Sequence, residues 1–223
     1  MKLAALVSGG KDSIYAIQKA LDEGHEVTHL ITIVPERDDS YMYHSINLHM
    51  VDMISEACEI PLIRQPSSGV KELELEDLTH ALRKVDVDGV TVGAIESRYQ
   101  ASRVRKICDS LGLTMYAPLW HRDPEELLLD MIKVLDIRIV GVAADGLDES
   151  WLGRQISPDS LESLKVLNRR RMVHVAGEGG EYETLVLDAP FFKKRIEIKK
   201  SEAIWMGNRG ILKILEAKLV DKI

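Results

Sequence analysis

A chain of 223 residues with 45% hydrophobic and 29% charged side chains can bury one large core or two modest ones. Its formal net charge of −7 argues against a protein whose main task is gripping nucleic acid, because that affinity comes chiefly from neutralising phosphates. No apolar run approaches the ~18 residues of a membrane span, and a first strand beginning at Lys2 or Leu3 leaves no room for a signal peptide, so the expectation is a cytoplasmic protein with no membrane partner.

The apolar run Leu3 to Val7 predicts a first strand. Ser8-Gly9-Gly10-Lys11-Asp12-Ser13 follows at once, and Ile14, Ile17 and Leu21 then recur at helical spacing before Gly24. Two glycines at a strand-to-helix turn let backbone N–H groups face an anion, and the helix N-terminus adds its positive dipole end. Ser8 and Ser13 offer hydroxyls and Lys11 a cation. A Walker A loop would put Ser or Thr directly after the lysine and another glycine well before it; here Asp12 follows Lys11, and only Leu3 to Leu6 stand where that glycine belongs. The hexapeptide and its place after a first strand instead resemble the pyrophosphate loop of N-type ATP pyrophosphatases, which implies ATP split into AMP and pyrophosphate.

Val27 to Val34 is a second apolar, β-branched run, and Leu48, Val51 and Ile54 mark a helix across Ser45 to Cys58. Pro61 to Arg64 reads as a strand, Leu78, Leu82 and Val85 as a helix, and Val90 to Val92 as a strand. Ala101, Val104, Ile107 and Leu111 give another helix, and Thr114 to Ala117 a fifth strand. Apolar strands alternating with helices predict an α/β fold, a doubly wound parallel sheet covered on both faces, with ligands beyond the carboxyl ends of its strands. At Asp123 a helix start appears, with Pro124 in the first turn and Glu126 at the capping-box position. Ile137 to Ala143 is a further strand and Ser157-Pro158 opens a helix carrying Leu161, Leu164 and Leu167. From Tyr182 onward residues alternate, as in Arg195 to Lys199, with a turn at Gly207 to Gly210. Those are expected to be half-exposed antiparallel strands. Residues 1–122 are thus expected to form an ATP-binding domain and 123–223 a smaller, closely packed α+β domain on the substrate side.

Three other features carry chemistry. Gly93 ends the fourth strand beside the phosphate loop's strand, where a glycine lets backbone approach a nucleotide, although a plain turn glycine fits the sequence equally. Gly177-Glu178-Gly179-Gly180-Glu181-Tyr182-Glu183-Thr184 gathers three carboxylates; on a strand Glu181 and Glu183 would share a face and could hold magnesium, bind ammonium or act as a base, while a surface hairpin is the other reading. Asp39 to His44 is polar and aromatic, fit for a lid or substrate wall, and His44 and His49 are spaced wrongly for two ligands on one helical face. Cys58 and Cys108, fifty residues apart in apolar surroundings, read as buried hydrophobes, and there is no Cys-x-x-Cys.

Taken together, Ser8 to Ser13, Ser40 to His44, Gly93-Ala94-Ile95 with Tyr99, Gln100 and Arg103, Gly146-Leu147-Asp148 with Leu152-Gly153-Arg154, and Gly177 to Thr184 resemble the diphthine–ammonia ligases. The resemblance spans nearly the whole chain. It implies a nucleotide alpha hydrolase-like (HUP) fold and amidation of the diphthine carboxylate on translation elongation factor two, using ATP, magnesium and free ammonium. It also implies site residues. Ser8, Gly9, Gly10, Lys11, Asp12, Ser13 and Gly93 would bind the nucleotide, with Lys11 and Asp12 also acting in catalysis and Asp12 a candidate magnesium contact. Glu178, Glu181 or Glu183 would collect ammonium and take its proton, and Tyr41, His44, Tyr99, Gln100, Arg103 and Thr184 would face the substrate. A homodimer stays open. Two other assignments keep the same ATP-binding half: adenylation of a tRNA base or small carboxylic acid, and a sensor that binds ATP without turning it over.

Overall fold

The computed structural model describes residues 1–35, 47–67, 73–96 and 98–222, with backbone alone for 35, 73, 74 and 98–100. Strands β1 (Lys2–Leu6), β2 (Glu26–Pro35), β3 (Leu62–Ser67), β4 (Gly89–Thr91) and β5 (Thr114–Tyr116) pair in parallel in the order β3-β2-β1-β4-β5. Helices α1 (Lys11–Asp22), α2 (Met50–Cys58), α3 (Leu73–Leu82) and α4 (Arg98–Leu111) lie between them in sequence. Side chains alternate across each strand, so Leu3, Ala5 and Leu30 join the core with Ile14 and Ile54, while Ala4 and Ile31 join the opposite one with Leu82 and Ile107. Both faces are therefore covered, as the uninterrupted apolar strands predict. The chain builds outward from β1 to β3 and then returns to place β4 on the other side of β1. That reversal opens a crevice beyond the carboxyl ends of β1 and β4.

Several boundaries differ from expectation. β3 runs on to Ser67 through Pro66, which an edge strand tolerates because a missing N–H costs nothing on its open side. Val85 lies past the end of α3 rather than within it. Lys11, Asp12 and Ser13 belong to the first turn of α1, not to the loop before it.

The remaining elements are α5 (Pro124–Val134), β6 (Asp136–Val142), α6 (Pro158–Arg171), β7 (Tyr182–Asp188), β8 (Lys194–Trp205) and β9 (Gly210–Asp221). The Asp123 carboxylate accepts the amides of Glu125 and Glu126 at 3.0 Å, so the helix start expected there is capped, and at the helix opened by Ser157-Pro158 the Ser157 hydroxyl accepts the Ser160 amide at 3.3 Å. The four strands form an antiparallel sheet in the order β7-β6-β9-β8. β8 and β9 show the expected half exposure, but Leu185, Val186 and Leu187 of β7 are all buried. The cause is tertiary: the edge of β7 lies against the phosphate loop, and the Val186 N–H donates to the Gly9 carbonyl at 2.9 Å. One continuous cluster of apolar side chains joins the two sheets, from Leu3, Ile14 and Ile54 to Ile137, Leu161, Leu185 and Ile214. Cys58 and Cys108 sit in the cores, 5% and 0% exposed, and burial pushes both thiols up to about 11, far from thiolate chemistry.

Candidate functional site

The loop between β1 and α1 is preshaped by its own contacts and by one from the antiparallel sheet. Gly9 has φ +86°, a conformation in which a side chain is strained, and a Cβ there would meet Ile54 and Leu185 at 3.2 and 3.3 Å. The Ser13 hydroxyl donates to the Gly10 carbonyl at 3.0 Å and accepts the Ser8 N–H at 3.4 Å. Gly10 occupies the N-cap of α1 and has no side chain to cap with. Thr184 supplies the missing group from 173 residues away, its hydroxyl accepting the Lys11 N–H at 3.1 Å. A residue expected to face the substrate thus also acts as a cap in trans. Replacing it with Val should cost about 1 kcal/mol of stability, the usual worth of a cap, and weaken ATP binding. Thermal melts and ATP titration check this; unchanged values in both would mean the contact carries nothing.

Three charged side chains converge here. Lys11 is only 3% exposed, and its ammonium lies 2.8 Å from Asp12 Oδ2 and 5.6 Å from the centre of the Tyr182 ring. Asp12 Oδ1 is buried and has no hydrogen-bond partner among the described residues. Burial raises the Glu178 carboxyl from its usual value, and the Asp12 charge raises it further, against the pull of Lys11 and of the nearby Glu96 backbone N–H. Tyr182 is pushed well up by its burial, and its hydroxyl donates to the Val175 carbonyl at 2.6 Å.

The acidic glycine segment divides its three carboxylates between two tasks. β7 begins at Tyr182, so Glu181 precedes the strand, and the face that strand geometry would have it share with Glu183 does not form. The Glu181 carboxylate turns back instead, accepting the amides of His174 at 3.0 Å and Gly179 at 2.8 Å. Two strong backbone donors hold it there. Glu178 and Glu183, by contrast, line the cleft.

That cleft measures about 520 Å³. Its lining combines polar groups, among them Ser8, Gly10, Lys11, Asp12, Ser13, Glu178, Glu183 and Thr184, with apolar ones, among them Leu6, Ile31, Ile33, Val92, Ala101 and Val104. Gly93 also lines it, but its closest neighbour is backbone: a Cβ would stand 2.5 Å from the Asp12 carbonyl carbon and 2.6 Å from the Ser13 nitrogen. Its smallness therefore seats the first turn of α1 against β4. Gly93→Ala should lower stability by roughly 1–3 kcal/mol through overpacking and displace the Lys11–Asp12 turn, weakening ATP binding. Melting together with ATP titration tests it, and a variant that matches the parent in both would refute the close approach.

Arg103 is half-buried on α4 and is not among the described residues lining the cleft, whereas Ala101 and Val104 of the same helix are. Tyr41 and His44 lie outside the described residues, as do the side chains of Tyr99 and Gln100. In the Gly146 to Asp148 and Leu152 to Arg154 segments, Asp148 accepts the Ser150 amide, and Gly153 and Arg154 pair with the Ile139 backbone on β6; Gly146 to Asp148 also line a second, smaller cavity. Glu96 and His174 acquire partners here that no sequence motif announces. The one hint is a histidine set among Val173, Val175 and Ala176 just before the acidic segment.

Among the described residues no group of three or more His, Cys, Asp or Glu side chains could hold a metal ion by itself, and no helix is long and apolar enough to cross a membrane. Comparison with known proteins extends the geometry. A diphthine–ammonia ligase of Mus musculus is 40% identical over 92% of this chain and 85% of the mouse protein, and one of Homo sapiens 38% identical over 100% and 94%. A solved structure, a predicted subunit of tRNA methyltransferase from Methanocaldococcus jannaschii, aligns with a TM-score of 0.46 at 13% identity over 85% of this chain and 98% of its own. Family profiles for the diphthamide synthase N-terminal and C-terminal domains match residues 1–115 and 123–220, and with relatives this similar over its full length the chain belongs to the diphthamide synthase family.

Proposed function

We propose that this chain catalyses the amidation that completes diphthamide, joining ammonium to the diphthine carboxylate of translation elongation factor two at the expense of ATP. The observation that carries the reading is a cleft lined by both the phosphate loop and Glu178, whose carboxyl feels the charge of Asp12. Its apolar lining has the character to take a purine, and its polar lining to take the phosphates.

A carboxylate is a poor electrophile, so a good leaving group must be attached first. The acceptor oxygen attacks the α-phosphorus, the bond to the bridging oxygen breaks, and pyrophosphate departs, leaving an acyl-adenylate. The Lys11 ammonium and the Asp12 and Ser13 amides of the first turn of α1 hold the charge that grows on that leaving group. Asp12, whose buried Oδ1 has no hydrogen-bond partner among the described residues, would hold a magnesium ion, and such an ion would supply further charge neutralisation. Ammonium must lose a proton before its nitrogen can attack the acyl carbon and displace AMP. Glu178, whose carboxyl is raised by burial and by the Asp12 charge and so holds a proton more strongly than an ordinary carboxylate, is the base we assign; Glu183 lines the same cleft, and Glu181 supports the loop. Residues 1–122 then serve ATP, and 123–223 contribute the acceptor side through Glu178 and Thr184. We place the reaction in the cytoplasm, where the elongation factor works, and leave the homodimer to sedimentation.

Incubation with diphthine-bearing elongation factor, ATP and ammonium should yield amide, AMP and pyrophosphate in equal amounts. Turnover of ATP without amide would point to another acceptor, and ATP binding without turnover to a sensor; either overturns the reading.

A further inference from the structure

The turn from Val173 to Glu181 places Glu178 in the cleft; Asn168 and Tyr182 hold its first residues by donating to the Val173 and Val175 carbonyls at 3.0 and 2.6 Å, and two further side chains bind the amides around Glu178. Glu181 takes the amides of His174 and Gly179. The His174 ring takes two more: Nδ1 accepts the Ala176 N–H at 3.2 Å and the Glu178 N–H at 3.4 Å. Because Nδ1 is an acceptor twice over, the ring proton of the neutral histidine sits on Nε2. That nitrogen lies 3.8 Å from the Glu96 carboxylate, and the Glu96 backbone N–H stands close enough to the Glu178 carboxyl to favour its ionised form. The three groups are therefore arranged in a ring: the His174 imidazole beside the Glu178 amide, the Glu178 side chain near the Glu96 amide, and the Glu96 side chain facing back toward the imidazole. This ring sets the loop after β4 against the loop before β7 beside Glu178.

We infer that His174 is a positioning residue for the amination step. Its Nδ1 fixes the backbone of Glu178, and its Nε2 faces the carboxylate of Glu96, whose loop lies beside the Glu178 carboxyl. The inference rests on the reading of Glu178 as the group that receives the ammonium proton. The phosphate loop needs none of these contacts, being held by Ser13, Thr184 and Val186. Loss of His174 should therefore separate the two halves of the reaction.

Substitution distinguishes the two ring nitrogens, since an asparagine carbonyl oxygen can stand where Nδ1 stands, while a glutamine reaches toward the position of Nε2. His174→Ala should raise the ammonium KM and slow amide formation by roughly 10- to 100-fold, the scale of a small misplacement of a reacting group. ATP–pyrophosphate exchange with bound diphthine-bearing factor, and the KM for ATP, should stay within about threefold, because those contacts lie outside the ring. His174→Asn should recover most of the loss and His174→Gln little of it. Hydrogen exchange at the Ala176 and Glu178 amides should quicken in the Ala and Gln variants and stay slow in the Asn variant, a readout independent of activity. Equal behaviour of all three variants, or a matching fall in pyrophosphate exchange, overturns the inference. Glu178→Gln, assayed alongside, separates the failures: full amination by that variant sinks the reading of Glu178 itself, whereas impaired Glu178→Gln with parent-like His174 variants sinks the positioning role alone.

Discussion

Glu178→Gln is expected to slow amide formation by roughly 10²- to 10⁴-fold, the usual contribution of a general base, while ATP–pyrophosphate exchange persists. Glutamine keeps the shape and can still meet the Glu96 amide through its carbonyl oxygen, but it cannot accept the ammonium proton. Stability should move the other way. The Glu178 carboxyl is raised in the folded protein, chiefly by burial and then by the Asp12 charge. A raised group contributes stability that is complete below its unfolded pKa and is lost as pH rises through its folded value, so ionised Glu178 weakens the fold at neutral pH. The variant should melt at or above the parent temperature near neutrality, and the gap should close on acidification. Quenched-flow product analysis and melting across that range measure both halves. A variant that amidates normally, or one that melts well below the parent at neutral pH, contradicts the assignment.

Lys11→Ala should lower pyrophosphate release by about 10²- to 10³-fold, the scale seen when one preorganised donor to a developing charge is removed. The lysine is buried, pairs with Asp12 at 2.8 Å and lies over Tyr182, so its loss also leaves the Asp12 carboxylate without its cation. An uncompensated Asp12 would push the Glu178 carboxyl still higher, since Lys11 is the side chain that pulls it down. The pH at which amination reaches half its maximum should accordingly rise. Lys11→Arg is not expected to rescue, because a planar guanidinium cannot replace a compact ammonium in a pocket this closed. Pyrophosphate release within a few-fold of the parent would show that the phosphates are held elsewhere.

Both expectations rest on residues whose type and spacing are legible in the amino-acid sequence. The order of strands and helices follows from which runs are apolar throughout and which are apolar every third or fourth residue, because periodicity reports the face a segment buries. The phosphate loop is legible because two glycines, a lysine and a strand-to-helix change coincide within a few residues. The acidic segment is legible as a cluster but not as a division of labour. Strand geometry predicts a shared face for Glu181 and Glu183, yet β7 starts one residue later and the amides of His174 and Gly179 capture Glu181. A free N–H in a turn is invisible in sequence, and it decides where that carboxylate points.

Thr184 and Gly93 show the same limit. The motif containing Thr184 points it toward the acceptor, yet its hydroxyl also caps α1, a contact spanning 173 residues that no local pattern encodes. The position of Gly93 at a strand end suggests contact with the nucleotide, and its nearest neighbour is the backbone of Asp12 and Ser13. Sequence alone determined what is local: the elements, the anion-binding turn, the buried cysteines and the presence of carboxylates that can take a proton. Only the tertiary structure decided that Glu178 rather than Glu181 enters the cleft, that Lys11 is buried there with its ammonium 2.8 Å from Asp12, and that His174 comes to face Glu96 across the two loops. Pairings between distant segments depend on which donors are left unsatisfied once the sheets have packed, and that accounting exists only in the folded chain.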